Sequence, residues 1–193
     1  YQALAGNVTI SSINGDVWAM GGANITGQNV SLSAANGVVQ LYGYDGGNIN
    51  ATAGNATITT GGALDLSTAF GNAIASITAT GSAIINAGGA ITNSDGNLSL
   101  VTANTLDATA VGGIALTTQV ANLTTSNTGA GNTVINNTGA LTVYGMTDPD
   151  SITLNNAGSV TVGWSGMSAN GIALTASGGA SDIRRVSASG AWS

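Results

Sequence analysis

General acid and base chemistry needs groups whose pKa can be brought near neutrality, and a chain without His, Cys, Glu or Lys leaves only aspartate and tyrosine for it. Asp65 and Asp107 each occupy the middle of a short apolar phrase, Leu64-Asp65-Leu66 and Leu106-Asp107-Ala108. If both lay on one face about two coils apart, their carboxylates would stand roughly 10 Å from each other, near the separation used by inverting glycosidases. That geometry defines one function class, a polysaccharide-active β-helix enzyme. The plainer reading, a pair of solvated surface carboxylates, is the one preferred here. Asp148 and Asp150 flank Pro149 and have the oxygens to clamp Ca²⁺, but a hard cation wants six or more oxygens in a defined loop, and no calcium-binding GGxGxD repeat is present. A plain turn is expected there, with no metal and no cofactor.

Other residues point to binding. By strand parity Trp18, Tyr42 and Tyr144 face outward, as sugar platforms do, while Trp164 follows Val160 and Val162 inward. Asn-x-Ser/Thr acceptor triplets for glycosylation begin at Asn7, Asn24, Asn29, Asn50, Asn55, Asn97, Asn122 and Asn136. A phrase built from Asn, an aliphatic residue and Thr or Ser also generates such triplets by itself. Outward threonine pairs, Thr57 with Thr59 and Thr78 with Thr80, have the look of the flat arrays of ice-binding solenoids but do not repeat in a constant register.

The elements that must position these side chains come from one recurring phrase: an apolar residue, a small polar one and another apolar one, closed by a Gly or Asn turn. Val8-Thr9-Ile10, Val17-Trp18-Ala19, Val30-Ser31-Leu32, Val39-Gln40-Leu41, Leu98-Ser99-Leu100, Ile114-Ala115-Leu116, Leu141-Thr142-Val143 and Ile172-Ala173-Leu174 are instances. Period-two alternation sends the outer members of each triplet into a core and the middle one to water. Asn14-Gly15, Asn36-Gly37, Gly61-Gly62, Gly88-Gly89 and Gly112-Gly113, whose residues tolerate positive φ, mark the corners.

Strands that begin roughly every 8 to 11 residues leave no room for the helical crossovers of ordinary parallel sheets. A hairpin sandwich is disfavoured by the 4% aromatic and 5% charged content, too little for its usual core and cross-strand pairs. Asn7, Asn29, Asn55, Asn97 and Asn122 recur beside the strands, as amide ladders between stacked coils require. The expectation is therefore all-β: a parallel β-helix of about seven to nine coils of roughly 20 to 27 residues, with two or three sides. Residues 1–193 are read as a single solenoid segment.

Composition bounds the partners. The net charge of −6 rests on Asp, and Arg184 and Arg185 are the only basic residues, so there is no patch able to displace counterions from nucleic acid. No apolar run approaches the roughly 20 residues of a spanning helix, and no membrane insertion is expected.

Gly6-Asn7-Val8-Thr9-Ile10 followed by Asn14-Gly15-Asp16-Val17, and Gln28-Asn29-Val30-Ser31-Leu32 followed by Asn36-Gly37-Val38-Val39, resemble the repeat region of filamentous haemagglutinin-like exoproteins of the two-partner secretion type. The resemblance covers nearly the whole chain in repeat style. It implies a right-handed β-helical rod, secreted and extracellular or on the bacterial cell surface, serving adhesion, aggregation, biofilm or filament formation without catalysis. It also implies surface glycans or neighbouring cells as partners. The secretion domain of that family carries an Asn-Pro-Asn-Gly type of motif, whereas the only proline here is Pro149, so the likeness is to a shaft. The chain opens at Tyr1 without a signal-peptide pattern and reads as a processed or excised piece. Continuation in a longer polypeptide, or end-to-end self-association, is expected because neither terminus carries an amphipathic or charged cap.

Overall fold

The structure, a computed structural model, describes residues 2–3, 5–20, 22–42, 47–67, 75–93, 99–163, 165–178 and 182–185. Among these the chain is all-β, and every stacked strand pair is parallel. The strands pile into a β-solenoid of about seven turns.

Three faces build the first coils. The first face stacks Val8–Ser12, Val30–Ala34, Ala56–Thr60 and Ser82–Ala87 in unbroken register. The second stacks Val17–Met20, Val39–Tyr42, Leu64–Ser67 and Ile91–Thr92. The third stacks Asn24–Gly27, Asn48–Ala51, Ser76–Ala79 and the first residues of Leu100–Ala110. Successive coils here are 22, 26 and 27 residues long, measured along the asparagine column of the first face.

Then the cross-section changes. Ile114 of the strand Ile114–Asn127 sits on Ile91 of the second face, while Thr117 to Val120 of the same strand sit on Leu100 to Ala103 of the third. One uninterrupted strand thus covers both faces before running on to the first at residues 122–127, because Ile114-Ala115-Leu116-Thr117-Thr118-Gln119-Val120 contains no Gly or Asn at which to turn. Below it Thr133–Thr138, Ser151–Ala157 and Gly171–Ser177 keep the merged face, and the coil shortens to 19 residues. The question of two sides or three has the answer of both, in succession.

Alternation places the core as expected along most of the chain. Val30, Leu32, Ile58, Leu64, Leu66, Ile85, Leu106, Leu116, Leu123, Ile135, Val143 and Leu154 are sealed inside. Leu98-Ser99-Leu100 departs from the expected parity. Ser99 is fully buried, accepting the Ala75 N–H at 3.2 Å, and Leu100 is half-buried, stacked between Ser76 and Thr117 on the outward side. Register with the neighbouring coils overrides the local pattern, since slipping by one residue would turn the whole of Leu100–Ala103 inside out.

The corner glycines are held by packing more than by their dihedrals. Among the described residues, Gly113 is the member of those pairs with positive φ, at 96°. Gly37, Gly61 and Gly88 are needed for another reason: a Cβ on each would collide with a carbonyl oxygen of the coil above, that of Gly15, Ala35 and Gly61 in turn. Close stacking of backbone on backbone, and not an unusual dihedral, demands glycine at these corners.

Candidate functional site

Each coil contributes three outward side chains to the first face, and the register turns them into columns. One column runs Asn7, Asn29, Asn55, Ser82, Thr105, Asn122 and Thr142. Another runs Ser11, Ser33, Thr59, Asn86, Thr109, Ser126, Thr147 and Ser168. The expected amide ladder is present: Asn29 Nδ2 donates to Asn7 Oδ1 at 2.9 Å, and Asn29 Oδ1 accepts the Asn55 N–H at 2.8 Å. The ladder passes to Ser82, whose N–H reaches Asn55 Oδ1 at 2.9 Å. Asn122 shares the column and donates to the Asn104 carbonyl, while Asn97 lies outside the described residues. Thr57 and Thr59 stack on Ser31 and Ser33, but the next coil sets Ile84 and Asn86 against them, so the hydroxyl pairs do not run on in a constant register.

The aromatic candidates divide. Trp18 and Tyr144 project outward, 58% and 56% exposed. The backbone of Tyr42 lies between Met20 and Ser67 on the second face, its side chain being outside what is described. Trp164, expected inward, also lies outside the described residues. Tyr144 owes its position to an irregularity: Leu123 pairs with Val143 and Thr124 with Gly145, so Tyr144 is an extra residue bulged out of the ladder.

Asp65 and Asp107 both alternate outward as expected, between inward Leu64 and Leu66 and between inward Leu106 and Ala108. They do not share a face. Asp65 stacks between Gln40 and Thr92 on the second face, Asp107 between Ile84 and Thr124 on the first. The carboxylate pair on which glycosidase chemistry would rest is therefore not assembled. Each instead belongs to a column containing an aromatic ring. Trp18, Gln40 and Asp65 are consecutive rungs of the second face; Asp107, Thr124 and Gly145 are consecutive rungs of the first, with Tyr144 bulged out beside Gly145. The Thr92 hydroxyl, one coil further on, donates to Asp65 Oδ1 at 2.8 Å and fixes that carboxylate.

At Asp148-Pro149-Asp150 the chain does turn, with the Asp150 N–H donating to Asp148 Oδ1 at 2.7 Å. Sequence reasoning missed that Asp148 is only 4% exposed. Its Oδ2 accepts from the Thr133 hydroxyl at 2.6 Å and from Asn127 Nδ2 at 3.2 Å, and Asn127 Oδ1 accepts the Gly113 N–H at 3.0 Å. Thr133, Asn127 and the Asp150 N–H all donate to the carboxylate, so the cluster is a structural tie between coils at the bend.

No protein-family model, curated protein or solved structure matches the chain. Its function is therefore read from its own faces.

The acceptor asparagines are distributed unevenly over those faces. Asn7, Asn24, Asn29 and Asn55 are exposed, whereas Asn50, Asn122 and Asn136 are half-buried among their neighbours. Asn24 and Asn136 are ladder members too, accepting from Asn48 at 3.2 Å and Asn155 at 3.0 Å. Among the described residues no helix is long and apolar enough to cross a membrane.

Proposed function

We propose that the chain is a structural and adhesive β-helical shaft of a secreted bacterial surface protein of the filamentous haemagglutinin type, and that it works without catalysis. The observation that carries this reading is the first face, where hydroxyl and amide side chains stack in register from Ser11 to Ser168. Short uncharged polar groups satisfy one another between coils and still offer hydrogen bonds outward, which suits a long surface meant to contact other surfaces. Separation of Asp65 from Asp107 removes the geometric reason for a hydrolase. In this reading the rod continues through a longer polypeptide or through end-to-end association of copies, and its partners are surface glycans or neighbouring cells.

Electron microscopy with immunogold labelling of producing cells tests the proposal. Thin rods at the cell surface, with loss of aggregation on deletion of the gene, are the expected result. Compact particles confined to the cell interior, or release of reducing ends from a polysaccharide by the purified chain, would overturn it.

A further inference from the structure

The two aromatic columns lie on different faces. On the second, the exposed ring of Trp18 is followed two rungs away by Asp65, with Gln40 between; on the first, Asp107 and Thr124 are followed by the Gly145 rung, beside which the exposed ring of Tyr144 bulges out. Adjacent rungs of a ladder stand 4.7–4.9 Å apart, so ring and carboxylate are separated by roughly 10 Å along the rod axis. Two linked pyranose rings span such a column. An aromatic face offers stacking to the C–H side of one ring, and a carboxylate accepts paired hydroxyls from the next.

We infer that these columns are two glycan subsites, each taking a linear, neutral, β-linked oligosaccharide laid along the rod axis. The inference rests on the adhesive reading above and deepens it by naming the residues and the ligand class. Linear and β-linked follows from rungs that stack in register coil upon coil, a row that an extended chain of equatorial sugars can track and a coiled one cannot. Neutral follows from the charge: Asp65 and Asp107 lie within the columns on a chain of net charge −6, and both repel uronates. The second-face column is the better organised. Thr92, on the next rung of the same column, donates to Asp65 at 2.8 Å, so little freedom is lost when a sugar arrives. Thr92 is a positioning residue for that carboxylate. At the other column the bulge does the corresponding task, turning Tyr144 out of the sheet beside Thr124.

Titration of the purified chain with cellohexaose, followed by calorimetry and by ligand-observed NMR, tests the assignment, with hexagalacturonate as the acidic comparison. Cellohexaose is expected to bind with a Kd on the order of a millimolar or tighter. Trp18→Ala and Tyr144→Ala should each weaken its own subsite about tenfold, the loss that one stacked ring accounts for. Asp65→Asn should weaken binding several-fold, and Thr92→Val should reproduce part of that loss with Trp18 untouched. Both aromatic positions are on the surface, and an unchanged circular dichroism spectrum shows that the variants fold; Gln40→Ala serves if one does not. Absence of cellohexaose binding, binding indifferent to Trp18→Ala and Tyr144→Ala together, or tighter binding of hexagalacturonate would each overturn the inference. Rods on the cell surface with no such binding would leave the shaft reading standing and remove only these subsites.

Discussion

Asn137 donates from Nδ2 to Asn156 Oδ1 at 2.7 Å, one coil apart, with both amides inside the protein at 3% and 1% exposure. They continue an inward column that begins as Ile25, Ile49, Ile77 and Val101 and turns polar at Thr118, where the solenoid loses a face. Asn137 Oδ1 also accepts from the Thr118 hydroxyl and the Val120 N–H, and Nδ2 reaches the Val120 carbonyl at 3.3 Å. The amide thus satisfies backbone groups at the bend that the coil-to-coil ladder leaves over.

Asn137→Leu should destabilise the chain by about 2–4 kcal/mol, because Val120, Thr118 and Asn156 each lose a partner while remaining buried. Urea denaturation measures it. A loss under about 0.5 kcal/mol would mean that the bend does not depend on this amide.

Gly61→Ala should cost about 1–3 kcal/mol, since its Cβ meets the backbone carbonyl of Ala35 and no side chain can move to relieve the contact. Gly6→Ala, with nothing within 4 Å of the new methyl group, should be close to neutral. Equal midpoints for the two variants in thermal melts would contradict the claim that corner glycines serve close stacking.

Thr125→Val should stabilise by about 1 kcal/mol. Thr125 is buried in the inward column between Ala108 and Met146, and its hydroxyl has no hydrogen-bond partner. Removing the hydroxyl at nearly constant shape relieves that penalty. Destabilisation of similar size would reveal a bond the hydroxyl makes in solution.

Sugar attachment, if the native protein carries any, should favour Asn7 over Asn29. The Asn29 amide nitrogen already donates to Asn7, so a glycan on that nitrogen would disturb the rung between the two coils. Intact mass against the bare 18.6 kDa, followed by peptide mapping, decides it. Full occupancy at Asn29 would show that the ladder is dispensable.

Much of this was legible in the sequence, because a solenoid repeats one local rule. Alternation of apolar and small polar residues determined the strands, their inward faces and the lack of helices among the described residues, and the recurring asparagines foretold the ladder through Asn7, Asn29 and Asn55. The phrases also held a clue to the second-face column. Trp18, Gln40 and Asp65 are each the middle residue of a triplet, and aligning the triplets one coil apart would have brought them together.

Only the tertiary structure decided which triplet rests on which. Coil length varies from 17 to 28 residues, so sequence separation does not reveal register, and Asp65 and Asp107 fall on different faces for that reason. The same dependence buried Ser99 against its local pattern, bulged Tyr144 out of the ladder, and converted three faces into two at Ile114. Alternation is set residue by residue through backbone geometry, whereas register is set by contact with the coil beneath, and those contacts exist only once the chain has wound.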